Sequence, residues 1–108
     1  MLYFLNSPVL TNYGIYRFRK CTALEAKELW NSAVEKISAC GHKDTSDFLQ
    51  KLGLNVEVNR ISIEMQKGDK AIVLKINKRL PEGEIMTSKE LDETNYEFGI
   101  LELIELIN

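Results

Sequence analysis

A chain of 108 residues with 44% hydrophobic and 28% charged residues sets the expectation of one soluble globular domain, spanning residues 1–108 and long enough to bury a single core. The net charge of -2 argues against a basic stripe of the kind that binds long nucleic acid, so a nucleotide ligand is expected to be small and held in a concave site. No apolar run approaches the roughly 20 residues that span a bilayer, so no membrane partner is expected. Cys21 and Cys40 are too few for a disulfide framework, and neither sits in a CxxC pair or near a second histidine. The expectation is a cytoplasmic protein with reduced thiols, no metal and no cofactor.

Leu2 to Asn6 reads as a short buried strand, stopped by the turn Asn6-Ser7-Pro8. The apolar start lacks a basic leader and a cleavage site, so it reads as a strand and not a signal peptide. Val9 to Gly14 reads as a loop, and Ile15 to Arg19 as a half-buried strand with Ile15, Arg17 and Arg19 on one face and Tyr16 and Phe18 on the other. Thr22 and Glu25 form a capping box ahead of a helix over Ala23 to about Ser32, with Leu24, Leu29 and Trp30 facing inward. Val34 to Ala39 fits either a helix extension or a short extended segment. Asp44 or Thr45 is expected to cap a second helix, roughly Ser46 to Leu52, with Gly53 at its C-terminal end. Ile61, Ile63 and Met65 alternate with polar residues, which predicts a strand; Lys67-Gly68-Asp69 then reads as a hairpin turn. Ala71 to Lys78 is apolar on both faces and is read as a central return strand. Pro81 to Gly83 predicts a turn, Thr87 and Glu90 cap a short helical turn, and Tyr96 to Leu106 forms a last strand. No internal repeat or linker is apparent.

The chemistry-bearing residues cluster at two points. Ser38-Ala39-Cys40-Gly41-His42-Lys43-Asp44-Thr45 holds the only histidine, and Asn77-Lys78-Arg79-Leu80-Pro81-Glu82-Gly83 places an arginine three residues ahead of a glutamate. Histidine exchanges a proton near neutral pH, and arginine clamps phosphate with its planar fork. Gly41 lets a ligand approach the backbone, and a helix N-terminus after His42 favours an anion. Each residue also has a plainer reading. His42 is a surface or helix-capping residue, Arg79 and Glu82 are solvated charges, and Asn6 and Ser7 are turn formers. A thiol nucleophile at Cys40 and a glycosidase pair at Glu82 and Glu84 are weighed and set aside, the first because residues two apart converge poorly.

At these residues the sequence resembles the ring nucleases that viruses and mobile elements carry against type III CRISPR defence. The matching pieces are Tyr3-Phe4-Leu5-Asn6-Ser7, Ser38 to Thr45, Asn59-Arg60-Ile61-Ser62-Ile63, Gly68-Asp69-Lys70-Ala71, and Lys78 to Glu84, in order over nearly the whole chain. The resemblance implies a small α/β fold with a mixed sheet; with the elements above it becomes a single α/β (α+β) domain of about five strands flanked by helices. It implies a homodimer, in the host cytoplasm if the source is viral, that binds cyclic tetra-adenylate across its two-fold axis. His42 then falls on the catalytic histidine, Arg79 on the phosphate-binding arginine and Glu82 on the nearby glutamate, while Asn6 and Ser7 fall on the ligand-contacting turn. Two departures stand out. The archaeal viral members carry a serine a few residues into the first loop, where this chain reads Pro8-Val9-Leu10-Thr11, and Cys40 replaces a small aliphatic residue. The competing readings are a non-catalytic cyclic-nucleotide sponge, a small regulator of a virus or mobile element, and an interaction protein without a nucleotide ligand.

Overall fold

The computed structural model describes residues 1–6, 12–76 and 96–107. Five strands form one mixed sheet: β1 (Leu2–Leu5), β2 (Gly14–Cys21), β3 (Lys36–Ala39), β4 (Lys70–Ile76) and β5 (Tyr96–Leu106), in spatial order β2-β5-β4-β1-β3. β1 runs parallel to both β3 and β4, with Leu5 opposite Ala39 on one side and Val73 on the other. β5 is antiparallel to β4 and β2, and the β2–β5 register shifts between Ile15 and Tyr16. Two helices, α1 (Ala23–Ser32) and α2 (Lys43–Lys51), complete the set of described elements.

The sheet buries both faces, which explains why its central strands are apolar without alternation. On the helix face, Leu2, Phe4, Ile72, Leu74, Phe98 and Ile100 pack with Ala26 and Trp30 of α1 and Phe48 and Leu49 of α2. The opposite face gathers Tyr3, Leu5, Ala71, Val73, Leu101 and Leu103 around Ile63 and Met65. β4, from Ala71 to Leu74, is fully buried, as its place between β1 and β5 requires. In β2 the same division separates Arg17 and Arg19 from Tyr16 and Phe18; Tyr16 joins the second cluster, and the Phe18 ring lies where a side chain on Gly99 would stand.

The capping box of α1 is present: the Glu25 amide donates to Thr22 Oγ1 at 3.0 Å. Leu24, expected inside, is exposed, and Ala26 takes the inward position beside Trp30. The ambiguous Val34 to Ala39 segment resolves into β3, an edge strand. α2 starts earlier than expected, at Lys43, with His42 rather than Asp44 or Thr45 at the cap position, because Thr45 and Ser46 face the core. Gly53 follows the Leu52 cap with a φ of 89°, the left-handed conformation that stops a helix.

The strand expected over Ile61 to Gln66 does not form. The alternation there is real, since Ile63 and Met65 are buried, but the segment joins no ladder: it crosses the second sheet face as a covering strap. Lys67-Gly68-Asp69 is consequently a turn leading into β4 and not a hairpin, closed by the Asp69 amide on the Gln66 carbonyl at 2.9 Å. The turn expected at Pro81 to Gly83 and the capping box of Thr87 and Glu90 lie outside the described residues. Among the described residues, no helix is long and apolar enough to cross a membrane.

Candidate functional site

Parallel strands deliver their loops to one end of the sheet, and ligands in α/β proteins commonly bind outside those carboxyl ends. Here β1 ends one residue before Asn6, and β3 ends two residues before Gly41 and three before His42. Because Leu5 is paired with Ala39, Asn6 and the Gly41-His42 loop leave adjacent strands side by side. β4 leaves the sheet at the same end, at Ile76. Arg79, Glu82 and Ser7 lie outside the described residues, so the structure brings together Asn6, Gly41 and His42 alone of the expected set.

His42 is exposed, with extended backbone (φ -123°, ψ 127°) and a side chain that makes no capping hydrogen bond. Its carbonyl opens the helix, accepting from the Ser46 amide at 3.1 Å. The imidazole is therefore presented at the N-terminus of α2, where the helix dipole favours negative charge. Asp44 in the first turn and Lys51 in the last complement that dipole, and the Asp44 carboxylate offsets part of its pull on an anion.

Gly41 has no positive φ, and among the described residues a side-chain carbon there would meet only Arg60 Cγ, at an ordinary 3.6 Å. The backbone thus does not require glycine at this position. Cys40 is fully buried and donates a long hydrogen bond, 3.6 Å, to the His42 carbonyl. Burial pushes its thiol pKa up, against a smaller opposing effect of the His42 backbone, so the nucleophilic thiolate is disfavoured.

A feature that local sequence patterns did not disclose holds this loop in place. The strap that crosses the sheet up to Gln66 begins directly after α2: the chain turns back through buried Leu54 and Val56 and runs beside β3 and the loop that follows it, making a single parallel bridge between Cys40 and Val58. Ser38 Oγ donates to the Glu57 carbonyl at 2.6 Å. Asn59 donates twice, from its backbone amide to the Cys40 carbonyl at 2.7 Å and from Nδ2 to the Ser38 carbonyl at 2.8 Å. Arg60 Nε donates to the Gly41 carbonyl at 2.8 Å. Buried Ser46 of α2 donates to the Val56 carbonyl. These bonds bridge long sequence separations, so no local pattern announces them; the only sequence sign was that Asn59 and Arg60 fell in one of the resembling stretches.

A cleft of about 480 Å³ opens elsewhere, between α1 and the sheet, lined by Arg17, Arg19, Glu25, Glu28, Lys70 and Glu102 among others. Lys70 begins β4, which places this cleft toward the opposite end of the parallel strands from His42. Its charges balance, and Arg19 is bound to Glu25 at 2.7 Å. Among the described residues, no group of three or more His, Cys, Asp or Glu side chains is placed to hold a metal ion.

The fold and loop arrangement define a small α/β domain with a parallel core and a polar loop cluster at its carboxyl end. Residues 2–98 match the STIV B116-like family, and the chain belongs to it. It is 39% identical over 100 residues to an uncharacterised Bacillus subtilis protein, YddF, covering 91% of this chain and 93% of that protein. It is 34% identical over 111 residues to uncharacterised protein 26 of Sulfolobus islandicus filamentous virus, covering 96% and 92% respectively. The solved structure of B116 of Sulfolobus turreted icosahedral virus superposes with a TM-score of 0.73 at 22% identity, covering 93% of this chain and 97% of B116. That likeness shows the α+β fold; the relatives of this chain thus include proteins of archaeal viruses and of a bacterium.

Proposed function

We propose that the protein is a metal-independent ring nuclease that opens cyclic tetra-adenylate, the signal of type III CRISPR defence, as a homodimer with the ring across its two-fold axis. The observation that carries the reading is His42, the only histidine, standing exposed without a capping hydrogen bond just past the carboxyl end of β3, the strand next to the one that leads into Asn6. The resemblance of the Ser38 to Thr45 and Lys78 to Glu84 stretches to ring nucleases supplies the substrate.

RNA carries its own nucleophile. The ribose 2′-oxygen attacks the adjacent phosphorus, the bond to the 5′-oxygen breaks, and the products are a 2′,3′-cyclic phosphate and a 5′-hydroxyl. His42 is assigned as the general acid that protonates the leaving 5′-oxygen, an effect worth roughly 10²–10⁴-fold. Arg79 neutralises charge on the phosphorane, and Glu82 orients Arg79 or His42. Asn6, Ser7 and Gly41 line the approach of the ring. An isologous dimer presents two copies of each group to a two-fold ligand.

The test is to incubate pure protein with cyclic tetra-adenylate in EDTA and identify the products. Cleavage to ends bearing 2′,3′-cyclic phosphate is expected, and His42→Ala should slow it at least about 10²-fold while binding persists. Binding without turnover in the unaltered protein would mark a sponge, and equal turnover in the variant would remove His42 from the chemistry.

A further inference from the structure

The main chain leading into His42 is held almost entirely from outside. Between Ser38 and His42, four carbonyls have partners beyond the segment's strand: Ser38 and Cys40 on Asn59, Gly41 on Arg60, and His42 on Ser46. Asn59 alone supplies two of them. Its amide is oriented by chemistry, since the Ser38 carbonyl only accepts, so the nitrogen must face it. The His42 side chain, by contrast, makes no capping hydrogen bond, and among the described residues none fixes it from its own end. Where the imidazole stands is then decided by the path of the backbone beneath it, and that path by the strap.

We propose that Asn59 is a positioning residue for His42, its side chain acting through the Ser38 carbonyl and thereby seating its backbone amide on the Cys40 carbonyl, and that it touches no substrate. Asn59 pins the backbone on the N-terminal side of Gly41, and the first turn of α2 pins it on the C-terminal side. Loss of the Asn59 side chain removes the bond to the Ser38 carbonyl, leaves the Cys40 carbonyl on the backbone amide alone and loosens the end of β3; displacement of a catalytic group by about 1 Å is enough to cost on the order of 10²-fold in rate. Substrate contacts made by other loops remain, so the effect belongs in the chemical step and not in affinity.

This inference rests on the reading of His42 as general acid, and its test separates the two. Single-turnover cleavage of cyclic tetra-adenylate is compared in the unaltered protein, Asn59→Ala and Asn31→Ala. Asn31 is the matched control: its Nδ2 makes the same kind of bond, 2.9 Å to the Gly53 carbonyl, away from His42. Ring binding is measured in the His42→Ala background with and without Asn59→Ala. The expected result is a rate at least about tenfold lower in Asn59→Ala, affinity within about threefold, and a rate within about twofold for Asn31→Ala. Because His42 is the only histidine, NMR relaxation of its ring reports directly on its order. Greater ring mobility is expected in Asn59→Ala and not in Asn31→Ala. Unchanged cleavage or unchanged ring relaxation in Asn59→Ala overturns the proposal while leaving the nuclease reading intact. If the unaltered protein does not cleave, that reading falls and the ring relaxation alone decides the positioning. Asn59→Ser replaces Asn59→Ala should the latter not fold; failure of both would make Asn59 a residue of the fold and refute the proposal.

Discussion

Replacing Trp30 with phenylalanine tests how the strap is tied to the core. Trp30 is the only tryptophan, 2% exposed, and meets Phe4 edge to face with ring centroids 5.8 Å apart. Its Nε1 donates to the Asn55 carbonyl at 3.0 Å, reaching from α1 to the start of the strap. Lys36 stands over the ring at 5.1 Å while its ammonium donates to the Trp30 carbonyl at 2.8 Å. Phenylalanine keeps one ring and loses two buried carbons, about 1.6 kcal/mol at ~0.8 kcal/mol per carbon. The lost hydrogen bond adds about 1 kcal/mol, at the low end because Asn55 is exposed and water can reach its carbonyl. The sum is about 2–3 kcal/mol, or a fall in Tm of roughly 10 °C for a domain of this size. Urea unfolding followed by circular dichroism, with an unchanged m-value, measures it. A loss below about 1 kcal/mol would refute the reasoning, because it would mean that neither the indole hydrogen bond nor the packing beneath it holds the strap.

Three further outcomes follow from single residues. Gly41→Ala should leave stability within about 0.5 kcal/mol, since its added carbon finds only an ordinary contact, yet weaken ring binding if the ligand approaches that backbone; a folded variant with unchanged affinity would remove Gly41 from the ligand site. The Glu25 carboxyl is held below its ordinary value of 4.5, first by the hydrogen bond from Arg19, against partial desolvation, then by the Arg19 charge and the Thr22 amide. Its folded pKa being depressed, the stabilisation is present above that ordinary value and is lost as pH falls through the folded one; the gap between wild type and Glu25→Gln in thermal melts should therefore close on acidification, and a gap that persists at low pH would contradict the pairing. Arg79→Ala should both weaken ring binding and slow cleavage, measured by calorimetry and single turnover; loss of rate at full affinity would deny it a phosphate in the ground state.

Much of the fold was legible because its signals are local. Tyr96 to Leu106 read as one long strand and is β5; the apolar run Leu2 to Leu5 is β1; the Thr22 capping box opens α1. The central place of β4 followed from Ala71 to Leu74 being apolar on both faces, a pattern that only two-sided burial tolerates. The error at Ile61 to Gln66 has a definite cause. Period-two alternation records which way side chains face along an extended chain, not whether the backbone has a partner, and Ile63 and Met65 satisfy the pattern while lying across a sheet instead of in it. The start of α2 was misplaced for a related reason. Thr45 is a good cap by residue type, but packing takes it inside, and a histidine with an extended backbone serves in its place.

The site divides along the same line. His42 stood out in the sequence because it is alone of its type and follows a glycine, and both facts are local. What fixes His42 is not local: Asn59 and Arg60 reach back 19 to 21 residues to carbonyls that any residue type would provide. A backbone acceptor leaves no mark on the sequence, so the half of the arrangement that lies on Ser38, Cys40 and Gly41 is invisible there. The donor half consists of two ordinary polar residues on an exposed stretch. A general acid needs both halves, a proton near neutral pH and a fixed place from which to give it. The first is a property of one side chain, and the second emerges only when the strap closes against β3, which is why His42 stood out in the sequence and the bonds that hold its backbone did not.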